Sequence, residues 1–169
     1  MQDHTILIGF MGSGKTTMGI RLSYKLRRTI IDTDKMIEKM EGKTISDIFA
    51  QNGEEYFRKK ETETLRKLQS ENVPRIISVG GGTPLREENR VLLKELGTVV
   101  YLKASPETIY QRLKGDTTRP LLQGDDPMGK ITALMSEREE LYLAAADEVI
   151  CVDNKDAAEV VEEIWEVCK

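Results

Sequence analysis

At 169 residues, 39% hydrophobic and 32% charged, the chain has the composition of one ordinary globular domain, long enough to bury a core without staples. A net charge of −4 argues against a nucleic-acid footprint, and no apolar run approaches the ~18 residues that a membrane span needs. Two cysteines, Cys151 and Cys168, and one histidine, His4, offer neither a disulfide framework nor a metal-ligand cluster.

The chain begins without a basic-then-apolar leader and enters a strand-like run at once, so a cytoplasmic protein is expected. Strand-like runs follow at Thr5–Ile8, Thr29–Ile31, Arg75–Val79, Thr98–Leu102 and Glu148–Val152. Each is short, rich in Val and Ile, and shows little in–out alternation, as expected of strands covered on both faces in a parallel sheet. Helical patterns lie between them. Thr44 to Asp47 resembles a capping box and Asn52-Gly53 a stop; Pro84 is expected to open a helix that Gly97 ends; Ser105-Pro106-Glu107 reads as N-cap, first-turn proline and early acid. The alternation predicts an α/β fold, a five-stranded parallel sheet flanked by helices, with ligands at the carboxyl ends of the strands.

Two stretches break the alternation. Asp34 to Glu71 carries too much helix for one crossover, leaving room for a substrate-binding insert at about 33–61. Gly115 to Asp126 has two glycines and no period, which reads as a mobile lid over a site.

The strongest signal is Gly9-Phe-Met-Gly12-Ser13-Gly14-Lys15-Thr16, a full G-x-x-x-x-G-K-[ST] pattern directly after the first strand and before a helix. Glycines let successive N–H groups turn inward around phosphate oxygens, and the helix N-terminus adds its dipole. Lys15 reaches the β- and γ-phosphates, and the Thr16 hydroxyl can ligate Mg²⁺. The chain is expected to bind a nucleoside triphosphate. A GTPase switch is disfavoured. Asn154-Lys155-Asp156 is one residue short of a guanine-reading motif, and the third strand runs into Gly80-Gly81-Gly82 rather than an acid.

Strand two ends in Asp32-Thr33-Asp34. Asp32 suits the metal side, and Asp34 suits an acceptor for an attacking hydroxyl's proton; alternatively Asp34 is the N-cap of the helix that follows. Arg138 falls on the apolar face formed by Ile131, Leu134, Met135, Leu141, Tyr142 and Ala145, where it must find an anion or snorkel out. A ligand carboxylate and a structural ion pair are both open. Arg58, with Glu54 at i−4 and Glu61 at i+3, is either a helix-surface pair or a fork oriented for a carboxylate. Arg119 in the lid is either solvated or folds over transferring phosphates.

Together these pieces resemble the shikimate kinase family nearly end to end. The phosphate loop, the Asp-x-Asp, Phe57-Arg58 with Glu61, the triple glycine, Arg119-Pro-Leu-Leu and Arg138-x-x-Leu-Tyr142 occur in the family's order and spacing. The resemblance implies a nucleoside monophosphate kinase-like P-loop fold, and ATP, Mg²⁺ and shikimate as ligands. The products would be ADP and shikimate 3-phosphate, on the route to aromatic amino acids. It assigns shikimate binding to Asp34, Arg58, Gly80, Gly81, Gly82 and Arg138, and ring walls to Phe49 and Phe57. Nucleotide binding falls to Gly12, Ser13, Gly14, Lys15, Thr16, Thr17, Arg112 and Arg119, with Arg112 and the loop after Val152 against adenine. Catalysis falls to Lys15, Asp34 and Arg119, and Mg²⁺ to Thr16 and Asp32. A monomer is expected. Two departures stand out: Arg27-Arg28 where relatives carry a glycine, and an acidic adenine-side loop at 153–156. The rivals are a gluconate or nucleoside monophosphate kinase, and a non-catalytic nucleotide-binding module.

Overall fold

Five short strands pair in parallel in the order β2-β3-β1-β4-β5: β1 (His4–Ile8), β2 (Ile30–Asp32), β3 (Ile76–Ser78), β4 (Gly97–Lys103) and β5 (Glu148–Cys151). The computed structural model describes residues 3–116 and 123–169. Every strand expected from the sequence is present, displaced by a residue or two at its ends. β1 and β3 are buried along their whole length, which is why their sequences do not alternate. The edge strands are wetter: Ile30 and Ile31 are half-buried, and Val149 is exposed.

The register lines up the strand ends. Ser78 sits opposite Leu7 on one side and Asp32 on the other, and Leu7 sits opposite Val100. Because β3 lies between β1 and β2, whatever follows β3 is held between the ends of its two neighbours. That slot receives the triple glycine.

The helices are α1 (Lys15–Leu26), α2 (Thr33–Glu41), α3 (Ile45–Asn52), α4 (Glu54–Leu68), α5 (Glu87–Leu96), α6 (Pro106–Leu113), α7 (Pro127–Ala145) and α8 (Ala157–Cys168). Thr44 accepts from Asp47 N–H at the start of α3, and Gly53 ends it. Ser105 caps α6 by accepting from Thr108 N–H, with Pro106 in the first turn. Pro84 departs from expectation. It lies in a 3₁₀ turn, Thr83–Leu85, and α5 opens only at Glu87. A proline fits the first turn of either helix type, so the sequence does not distinguish them.

Two hydrophobic clusters form. The larger surrounds the sheet, with Ile6, Leu7, Ile76, Val99 and Leu102 fully buried and α1, α5, α7 and α8 packed on it. The smaller comprises Ile37, Ile48 and Phe57, from α2, α3 and α4, with Ile45 and Tyr56 alongside. The sole tryptophan, Trp165 on α8, has the Lys25 and Lys169 ammonium groups 4.7 and 4.8 Å from its ring centre.

The Arg27 turn is accommodated without a glycine. Arg27 ends α1 with φ 54° and ψ 43°, a left-handed conformation that favours glycine. No helix among the described residues is long and apolar enough to cross a membrane.

Candidate active site

The phosphate loop leaves β1 at Gly9 and delivers the chain to α1 through Gly14, whose φ of 101° closes a turn that a side chain would strain. Lys15 folds over the loop, its Nζ donating to the carbonyls of Gly9 (2.7 Å) and Phe10 (3.1 Å). From α6, Arg112 Nη1 donates to the Gly12 carbonyl (3.0 Å). Around this loop is a cleft of 540 Å³ lined by Gly12 to Met18, Asp32, Asp34, Ser78 to Gly81, Arg112, Val152 and the start of α8. Thus Gly12, Ser13, Gly14, Lys15, Thr16, Thr17 and Arg112 all meet at one cavity. Arg119 lies outside the described residues.

The loop after β5 resolves the question of its acids. Asp153 accepts a bifurcated hydrogen bond from Ser105 N–H, 3.0 Å from Oδ1 and 3.2 Å from Oδ2. Burial works against its charge, but hydrogen bonds from Thr108 and Ser105 outweigh that and hold the carboxyl below its usual range. Asp156 caps α8 in a reciprocal box with Glu159. Both acids serve the backbone.

Of the two aspartates at the end of strand two, the structure decides which one caps the helix that follows. Asp32 is the N-cap of α2, its Oδ1 accepting from Lys35 N–H at 3.2 Å. Asp34 is therefore not the cap; it sits in the first turn of α2, and both acids line the cleft. Asp34 Oδ1 is buried and has no hydrogen-bond partner. Burial first, then the Glu61 and Asp32 carboxylates, push the Asp34 carboxyl up from 3.8 to about 6, against the pull of Lys15 and Arg58.

Each glycine of the triple run meets a different charged side chain. A Cβ on Gly80 would lie 2.7 Å from Asp34 Oδ1, one on Gly81 3.5 Å from Arg138 Nη1, and one on Gly82 2.3 Å from Arg58 Nη1. An acid and two cations thus close on one stretch of backbone, and a methyl at Gly80 or Gly82 would push the Asp34 carboxyl or the Arg58 guanidinium out of place. Arg58 Nη1 donates to Glu61 Oε1 at 2.6 Å, and Glu54 adds a looser contact at 3.4 Å. Glu61 is only 1% exposed, so this is a buried pair and not the helix-surface pair that its spacing allowed. Arg138 Nε is buried with no hydrogen-bond partner, and its guanidinium stands 5.7 Å from the Phe10 ring. Phe57 is buried, and Phe49, 36% exposed, lies 4.9 Å from it.

Sequence reasoning missed Tyr142 as more than core filler: its hydroxyl donates to the Gly81 carbonyl at 2.7 Å. Its place four residues after Arg138 was the available signal. It also missed Thr83 and Asn89, which no periodicity marks.

A glycine-cradled phosphate site at the carboxyl edge of a parallel sheet, with acid and guanidinium groups around an adjoining cavity, defines a P-loop phosphotransferase for a small anionic acceptor. Comparison with known proteins makes this specific. The family model described as Shikimate kinase matches residues 11–169. The shikimate kinase of Symbiobacterium thermophilum is 44% identical over 164 residues, covering 95% of this chain and 93% of that protein. The structure of shikimate kinase from Acinetobacter baumannii in complex with shikimate superposes with a TM-score of 0.89 at 36% identity, covering 99% of this chain and 93% of that one. A gluconokinase from Sinorhizobium meliloti, at 17% identity and a TM-score of 0.56, shares the fold alone. The chain belongs to the shikimate kinase family.

Proposed function

We propose that this protein transfers the γ-phosphoryl group of ATP to the 3-hydroxyl of shikimate, giving shikimate 3-phosphate and ADP. The observation that carries the reading is the triple glycine opposed by Asp34, Arg138 and Arg58, one side chain per residue. A carboxylated polyol needs cations for its carboxylate and an acid for the hydroxyl that reacts, all beside the phosphate loop. A second nucleotide would have little use for that set.

In this reading Arg58 and Arg138 bind the acceptor's carboxylate, and the buried Arg138 Nε and Asp34 Oδ1 both acquire ligand partners. Phe49 and Phe57 wall the ring. Asp34 accepts a hydrogen bond from the 3-hydroxyl and takes its proton as that oxygen bonds to the γ-phosphorus and the bond to the β-phosphate oxygen breaks. A carboxyl pushed up to about 6 is a stronger base than an ordinary aspartate, yet still ionised at neutral pH. Lys15, and Arg119 from the lid, balance charge on the phosphoryl oxygens. Arg112 and the start of α8 receive adenine.

The residues present suit a magnesium ion. Thr16 and Asp32 are hard oxygen donors on one side of the cleft, and Asp32 retains Oδ2 after capping α2. Among the described residues no group of three or more His, Cys, Asp or Glu could hold a metal, so a dedicated protein cage is not on offer there. When bound with the triphosphate, the ion neutralises charge on the β- and γ-phosphates. We extend the proposal to a monomer, since the loop, the acid and both clamp arginines come from one chain, and to a cytoplasmic location, where ATP is available to a kinase.

The test is ADP release from MgATP with shikimate, gluconate and AMP as parallel acceptors. Turnover with shikimate alone is the expected result. Turnover only with gluconate or AMP would overturn the acceptor, and ATP binding with no turnover on any of them would overturn catalysis.

A further inference from the structure

A guanidinium on a long side chain is a poor clamp unless something fixes its fork, because ordering that side chain opposes binding. Arg58 is fixed by Glu61, but Glu61 is itself a buried carboxylate that needs both oxygens satisfied. Its Oε1 takes Arg58 and its Oε2 accepts from the Thr83 hydroxyl. Thr83 is 1% exposed and follows directly on the triple glycine. The bond to Glu61 therefore also fixes where Gly82 stands against Arg58.

Thr83 is held in turn. Asn89, fully buried at the start of α5, donates from Nδ2 to the Thr83 carbonyl at 2.9 Å and accepts at Oδ1 from the Thr62 hydroxyl at 2.7 Å. Only this orientation of the amide satisfies both neighbours, since the reverse would set oxygen against the Thr83 carbonyl. Thr62 sits on α4, one turn beyond Arg58, and its hydroxyl also lies 3.2 Å from the Arg58 carbonyl. The chain of contacts runs from Arg58 through Glu61, Thr83, Asn89 and Thr62 back to Arg58. It is a closed circuit that joins α4, the glycine run and α5.

We infer that Thr83 and Asn89 are positioning residues for the acid clamp, holding the Glu61–Arg58 pair and the Gly82 backbone in the one relative placement that admits the acceptor's carboxylate. This rests on the reading above that Arg58 binds that carboxylate. It goes beyond that reading in making the clamp's geometry depend on two residues with no substrate contact. Neither Thr83 nor Asn89 lines the cleft around the phosphate loop, so their effect is expected on the acceptor side.

Steady-state kinetics on the full chain test it, with shikimate and ATP varied in turn. Thr83→Val keeps the shape and removes the hydroxyl, and it is expected to raise KM for shikimate about 10-fold while leaving KM for ATP within about twofold. Thr83→Ser, which restores the donor, is expected to return KM for shikimate to within about twofold of the parent. Asn89→Ser, one bond further out, is expected to give the same one-sided rise at about threefold, and stands in if Thr83→Val does not fold. Combined with Glu61→Gln, Thr83→Val should add no further loss, because both act through one pair. Equal rises in both KM values, failure of serine to restore, or multiplying losses in the double variant would overturn the inference. Arg58→Ala separates the two levels. If it leaves KM for shikimate unchanged, the clamp reading fails and this inference with it. If it raises KM while Thr83→Val and Asn89→Ser do not, only the inference fails.

Discussion

The phosphate side of the cleft is built mainly from backbone at the end of β1, whereas the acid side is built from side chains on α2, α4 and α7. The first rests on the main core, where β1 is buried along its whole length. The second leans on a small cluster of Ile37, Ile48 and Phe57 and on a buried polar circuit, with α7 and the far end of α4 reaching the main core. Backbone amides on a sheet edge have little freedom to lose on binding a phosphate. Long charged side chains have much, and here the circuit around Glu61 removes it in advance. One domain thus pre-organises two ligands by two different physical means.

The sharpest way to break the comparison is Lys15→Ala. It removes the charge over the loop and leaves the backbone cradle, and kcat should fall about 10³-fold while the thermal midpoint barely moves. A variant with parental kcat would remove Lys15 from the chemistry. Next in size is Asp34→Asn, with kcat expected to fall about 10²-fold. Because burial raises this carboxyl from 3.8 to about 6, the folded protein binds its proton more tightly than the unfolded chain. The stability Asp34 contributes is fully present below pH 3.8 and lost as pH rises through about 6. Asparagine should therefore stabilise the fold above pH 6, by on the order of 2 kcal/mol, and do little at acid pH. Denaturant melts at both pH values check the sign; stabilisation confined to low pH would reverse it.

Gly82→Ala probes the acid side alone. Its methyl would meet Arg58 Nη1 at 2.3 Å, so KM for shikimate should rise about 10-fold with KM for ATP unchanged. A rise in the ATP value instead would place Gly82 in the phosphate half. The smallest effect is Arg27→Gly, which relieves a left-handed arginine at the end of α1 and should stabilise the fold by about 1 kcal/mol without changing either KM. No gain in a denaturant midpoint would mean that the turn carries no strain.

The same division explains what could be read from the sequence. The phosphate half was legible almost completely, because strand, glycine loop and helix are contiguous and each position has one chemical reason for its residue. The five strands were legible for a related cause: burial on both faces leaves runs of Val and Ile. The acid half was legible as single residues but not as a machine. Asp32 rather than Asp34 caps α2, and sequence could not choose between two acids two residues apart. Thr83 and Asn89 reach partners 22 and 27 residues away, a pairing that no local pattern announces. The 3₁₀ turn at Thr83–Leu85 reads as a helix start in the sequence, because proline suits both.

The position of Trp165 has an optical consequence. It is the only tryptophan, and it rides on α8, whose first turn lines the nucleotide end of the cleft about 12 Å along the helix axis. Helices α2 to α4, which carry Asp34 and Arg58, hold no aromatic residues beyond Phe49, Tyr56 and Phe57, which emit weakly beside an indole. The protein therefore carries its one indole fluorophore on its sheet-bound body and none on the helices that carry Asp34 and Arg58, so its emission is expected to respond to the nucleotide end of the cleft and little to the other.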